Sequence, residues 1–124
     1  MGESIYGLKR THRCSELSAV NVGEKVTVMG WVNKRRDLGK LIFVDLRDRS
    51  GIVQIVFRSE DGEALFKKAE EIRNEYVLAV IGRVAMRSPE NVNPKIKTGE
   101  IEIIAEELRI LSKAETPPIY IEED

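Results

Sequence analysis

A small all-β barrel of five strands, with one helix between the third and fourth, is the fold this sequence predicts. Three observations point to it. Apolar and β-branched residues recur with strand character in five runs. The one stretch with helical spacing falls after the third run. Two glycines, Gly30 and Gly82, lie inside strand runs, where a closed barrel needs a bend or a close backbone approach.

The first strand is expected over Lys25 to Asn33, with Val26, Val28, Gly30 and Val32 on one face. A basic turn at 34–40 leads to Leu41 to Arg47, continuously apolar at its start, as in a strand covered on both sides. Arg49, Ser50 and Gly51 make a compact hairpin turn into Ile52 to Phe57. The period then changes. Over Glu63 to Asn74, Leu65, Phe66, Ala69 and Ile72 fall on one helical face, with Asp61 available as N-cap. Tyr76 to Met86 and Glu100 to Leu111 are the last strands, the latter alternating Ile101, Ile103 and Ala105 against glutamates. Between them runs a long loop, Arg87 to Gly99, carrying Pro89, Pro94, Asn91 and Asn93. This element order is that of an OB-fold, a five-stranded Greek-key barrel.

A chain of 124 residues, 42% hydrophobic and 33% charged, suffices for one ordinary domain with a real core. No apolar run is long enough to span a bilayer, and the start of the chain lacks a secretory h-region. Gly2 fits the opening of a myristoylation pattern, but Tyr6 stands where Ser or Thr is wanted. The single Cys14 allows no internal disulfide, in keeping with a reducing cytoplasm. A net charge of −1 argues against indiscriminate coating of polyanions. The charge is segregated: Lys9, Arg10, Arg13, Lys34, Arg35 and Arg36 precede an acidic end at Glu122, Glu123 and Asp124.

OB barrels bind ligands on strands two and three, flanked by the loops between strands one and two and strands four and five. Those places hold Phe43, Gln54, the cations Lys34, Arg35 and Arg36, and the loop 87–99. Cations beside an aromatic ring and an amide are suited to single-stranded nucleic acid, so RNA recognition is the leading expectation. From the residues alone, Phe43 fits a core position as well as a stacking ring. Lys34 fits a solvated turn, and Glu102 an ordinary exposed strand residue.

The run GWVNKRRDLGKLIFVDLRDRSGIVQIVF, the later RNEY and the TGEIEI before the last strand closely resemble the N-terminal anticodon-binding domain of bacterial aspartyl-tRNA synthetases. RTHRC and TPPIY are similar to that family's entry segment and its exit toward the catalytic domain. The resemblance covers Tyr6 to Tyr120. It implies an OB domain over 1–115, with an entry segment at 1–15, and a linker at 116–124 toward a class II catalytic domain.

The resemblance implies that the partner is the anticodon stem-loop of aspartate tRNA, with guanine or queuine, uridine and cytosine. Phe43 matches the ring under the middle base and Gln54 the amide reading its edge. Arg36 matches a contact to the uridine and nearby backbone, with Lys34 and Arg35 toward phosphates. Glu102 matches the acceptor for the first base. Arg87, Asn91 and Asn93 match the loop that closes over the anticodon. Departures are Val56, where some members have an aromatic, Ala85, where some have a basic residue, and Ser15, where glycine is frequent. Leu38 lies where relatives differ in accepting asparagine tRNA and leans toward the strict type.

No catalytic residue is expected. The class II motifs are absent, and no phosphate loop, nucleophile elbow or HExxH replaces them. His12 and Cys14 are too few for a zinc site, so no metal is expected. Glu70-Glu71 and Glu106-Glu107 fit solvated faces. The resemblance implies no cofactor for this domain, ATP and magnesium for the parent ligase, a monomeric fragment, a homodimeric parent and a cytoplasmic setting without membrane contact. Two other classes stay open: a sequence-tolerant single-strand binder, disfavoured by only three Phe, three Tyr and one Trp, and a protein-interaction module. Among synthetases, an asparagine-specific relative is the competing assignment, because its anticodon differs only at the last base.

Overall fold

The computed structural model describes residues 9–113. The entry residues before Lys9, the TPPIY segment and the linker at 116–124 lie outside the described residues. Five strands, β1 (Lys25–Asp37), β2 (Leu41–Asp48), β3 (Gly51–Arg58), β4 (Val77–Met86) and β5 (Ile101–Ser112), close in the order β1-β2-β3-β5-β4. The one α-helix, α1 (Glu63–Glu70), lies between β3 and β4, as the change of period predicts. All pairings are antiparallel except β3 with β5, which run parallel.

Alternation fills the interior. Val26, Val28 and Val32 of β1, Ile42, Val44 and Leu46 of β2, Val53, Ile55 and Phe57 of β3, and Ile101, Ile103 and Ala105 of β5 belong to one buried cluster. Phe66, Ala69 and Ile72 from α1 and its exit join that cluster, with α1 packed against β3 and β5. β1 serves two neighbours: residues 25–31 pair with β4 and residues 31–37 with β2. Gly30 stands at that handover, where a Cβ would collide with the carbonyl oxygen of Arg47. Gly82 makes the same close approach to the carbonyl of Ile104, beside an irregularity in the β4–β5 register.

Three sequence expectations change. The basic triplet is not in a turn: β1 continues to Asp37, and Lys34, Arg35 and Arg36 pair with Asp45, Val44 and Phe43. The α-helix ends at Glu70 rather than Asn74, because the chain must turn back to β1, where the Glu75 N–H donates to the Val32 carbonyl at 2.9 Å. Asp61 does not cap it. Gly62 holds the cap position, and Asp61 accepts from Arg58 Nε at 2.7 Å and Nη2 at 2.9 Å.

The segment before β1 is tied to the barrel by Asp48, which is 4% exposed. Its carboxylate accepts from the Cys14 N–H at 2.8 Å and, at the β2–β3 turn, from the Ser50 N–H at 2.8 Å and the Gly51 N–H at 3.2 Å. Cys14 and Leu17 thereby enter the core. Burial, with Asp48 beside it, pushes the Cys14 thiol up, away from the reactive thiolate.

Candidate nucleic-acid interface

The outer face of β2, β3 and β5 carries the sequence-predicted residues, and a bulge decides which cations join them. Cross-strand partners share a face, so Val32 opposite Leu46 points inward. Strict alternation would send Lys34 and Arg36 inward as well. The β1–β2 register shifts between Val32 and Lys34, leaving Asn33 as the extra residue. Beyond it, Lys34 lies opposite Asp45 and Arg36 opposite Phe43, both outside the barrel. Arg35 is sent the other way: its Nη2 approaches the Glu70 carbonyl at 3.4 Å, at the end of α1, and Asp37 at 3.3 Å. Its geometry is that of a strut between β1 and the helix, away from the other two cations.

Two cross-strand rows build the face. In one, Phe43 pairs with Val56, which pairs with Ile104. The guanidinium of Arg36 lies 4.8 Å from the Phe43 ring centroid, a cation–π distance. Phe43 is 6% exposed, yet it stands outside the barrel cluster; what covers it is Arg36 and its outer-face neighbours rather than core. In the other row, Lys34 pairs with Asp45 and Asp45 with Gln54. Gln54, 2% exposed, donates from Nε2 to Glu102 Oε1 at 2.9 Å. The parallel β3–β5 register makes that bond possible across 48 positions of sequence.

Arg87 is buried at the start of the long loop. It donates from Nε to the Ile101 carbonyl at 2.8 Å and from Nη1 to the Asn91 carbonyl at 3.0 Å, while its Nη2 is buried without a partner. Burial holds its pKa below the usual arginine value, and Asp45 and Glu102 oppose that shift. Burial also raises Glu102 above the usual carboxylate range, against the Gln54 bond and the charges of Arg87 and Arg58. Asn91 donates to Ser88 Oγ at 3.0 Å, and Asn93 accepts from the Lys95 N–H at 3.0 Å. Both amides shape the loop, and Thr98 fastens it to β3 through the Ile52 carbonyl at 2.5 Å.

Phe43, Gln54, Glu102, Arg36 and Lys34 are therefore brought to one face, with Arg87 beside them. Asp45, Ile104 and Arg58 belong there too and escaped the sequence reading. Period two could have found Asp45, two residues after Phe43, and Arg58, four after Gln54. The arrangement offers a flat ring, an amide and a carboxylate in line, and cations at the margin: the chemistry for a splayed base and its phosphates.

The tRNA anti-codon family of OB-fold nucleic acid binding domains matches residues 26–111. The chain belongs to that family. Its sequence is 68% identical, over all 124 residues, to an aspartate–tRNA ligase of Ruminiclostridium cellulolyticum, and covers 21% of that protein. It is 63% identical over 123 residues to an aspartate–tRNA(Asp/Asn) ligase of Caldanaerobacter subterraneus subsp. tengcongensis, again covering 21% of its length. Among solved structures, asparaginyl-tRNA synthetase from Pyrococcus horikoshii superposes with a TM-score of 0.71 at 30% identity, over 89% of this chain and 24% of that one. This member of the tRNA anti-codon family thus spans about a fifth of the length of the ligases it resembles.

Proposed function

We propose that this chain is the anticodon-binding domain of an aspartate–tRNA ligase and captures the GUC or QUC anticodon loop of aspartate tRNA. The observation that carries the reading is the two adjacent outward rows, one with Arg36 on Phe43 and the other with Gln54 bonded to Glu102, which supply platform, edge reader and cation on one barrel face. The relatives, named as aspartate–tRNA ligases along the whole chain, support the choice of tRNA. In this reading the middle base stacks on Phe43 after Arg36 moves off the ring, and Gln54 pairs with the base edge. Glu102 accepts from the first base, Lys34 and Arg36 meet phosphates, and Arg87, Asn91 and Asn93 hold the flanking loop.

The domain binds and identifies; the chemistry belongs to the parent enzyme, a class II homodimer using ATP and magnesium in the cytoplasm. The fragment itself is a monomer. Leu38, 60% exposed at the β1–β2 turn, favours the strict aspartate type, although relatives of both specificities are similar to this chain. The test is binding of a GUC anticodon stem-loop, with variants at each anticodon base and the asparagine GUU loop alongside. Preference for GUC, lost on changing the uridine, is the expected result. Equal affinity for every loop would leave a sequence-tolerant single-strand binder, and binding to none would remove the assignment.

A further inference from the structure

The Gln54–Glu102 bond bears on how one amide can tell two pyrimidines apart. Uridine presents an N3–H donor beside an O4 acceptor. Cytidine presents an N3 acceptor beside an N4–H donor, the inverse pattern. A glutamine amide turned by 180° inverts its own pattern in the same way. A freely turning Gln54 would therefore match uridine in one orientation and cytidine in the other, for a base held at one place on Phe43. Edge reading by an unlocked glutamine cannot discriminate between them.

In this structure the amide is not free to turn. Gln54 Nε2 donates to Glu102 Oε1 at 2.9 Å, and an ionised carboxylate can only accept. Turning the amide would set its carbonyl oxygen against the carboxylate, in a site where Gln54 is 2% exposed and little water can compensate. Burial shifts Glu102 toward its neutral form, and the bond from Gln54 with the charges of Arg87 and Arg58 opposes that shift in favour of the accept-only carboxylate. The lock leaves Gln54 with one carbonyl acceptor and one remaining N–H. Among the described residues that carbonyl accepts no hydrogen bond.

Resting on the anticodon-binding reading above, we propose that Glu102 is a positioning residue for the middle base. By fixing the orientation of the Gln54 amide it selects uridine over cytidine there, in addition to its own contact with the first base. Glu102→Gln is the informative variant. It keeps the volume and a hydrogen bond, but a second amide can pair with either orientation of Gln54 and so removes the lock.

The test uses the full chain and two stem-loops, one with uridine and one with cytidine at the middle position, guanine being kept at the first. Loss of the contact between Glu102 and the first base then weakens both loops alike and cancels in their ratio. The wild-type chain is expected to favour uridine by about tenfold or more, the usual penalty of mismatched polar groups, and Glu102→Gln to lose most of that ratio. A ratio unchanged in a folded Glu102→Gln protein, or no preference in the wild type, overturns the proposal. A wild type that binds neither loop instead overturns the anticodon reading. Side-chain amide NMR of the free chain tests the lock without RNA: the Gln54 proton bonded to Glu102 should move in Glu102→Gln, and an identical Gln54 amide signal would refute it.

Discussion

Replacing Phe43 separates a stacking platform from a core residue, because the ring sits outside the barrel cluster under Arg36 rather than among the inward valines and isoleucines. Truncating a fully buried phenylalanine to alanine costs about 3–5 kcal/mol. Here Arg36 and solvent can settle into the space, so Phe43→Ala should destabilise the fold at or below the lower end of that range. Phe43→Leu keeps most of the apolar contact with Val56 and should cost about 1 kcal/mol. Binding is a different sum. Stacking of one base on an aromatic ring contributes about 1–3 kcal/mol. The wild type must first give up the Arg36–Phe43 contact, about 0.5–1 kcal/mol, which the leucine variant does not. The difference spans about 0–2.5 kcal/mol, and its central value of about 1.25 kcal/mol corresponds to a loss of affinity of about 8-fold. Anisotropy titration of a labelled GUC stem-loop measures it, with thermal melts confirming that both variants fold. A folded Phe43→Leu protein that binds as tightly as wild type would refute the platform.

Three further perturbations follow from named contacts. Arg36→Ala uncovers Phe43 while deleting a cation, so affinity should fall and the slope of log K against log salt should flatten by about 0.7, the single-strand value per phosphate; an unchanged slope would take Arg36 off the backbone. Gly30→Ala drives a Cβ into the Arg47 carbonyl where β1 passes from β4 to β2, and should lower stability by about 1–3 kcal/mol in a denaturant titration. Wild-type melting there would mean the barrel closes less tightly than this. For Asp48, burial works against the charged form, but hydrogen bonds from Ser50 and Cys14 outweigh it and leave the pKa below the ordinary 3.8. Its contribution is then present above pH 3.8 and lost as pH falls through the lower folded value. Asp48→Asn should be less stable than wild type near neutrality, with the gap closing in acid; a gap independent of pH would count against the charge.

Alternation is a local property of an extended chain, and what it specifies could be read directly. Ile101, Ile103 and Ala105 alternate against glutamates, which leaves Glu102 on the other face without any knowledge of the barrel. Phe43, in a continuous apolar run, instead fits either face until closure of the ring turns Val44 inward. Element order came from the same source, since period two gives way to helical spacing only once, after Phe57. What depended on distant chain was beyond such a reading. Asn33 carries no mark of a bulge; the extra residue is accommodated where β1 leaves β4 for β2, and it alone turns Lys34 and Arg36 outward while sending Arg35 to the helix. Asp61 has the chemistry of a cap, yet Arg58 holds its carboxylate once the chain turns at the end of β3. The pairing of Gln54 with Glu102 exists because β3 and β5 run parallel at one register, a relation set by closure of the ring. Side-chain type and face are thus written in neighbouring residues, whereas register, bulge and partner are chosen by the strand that arrives from elsewhere.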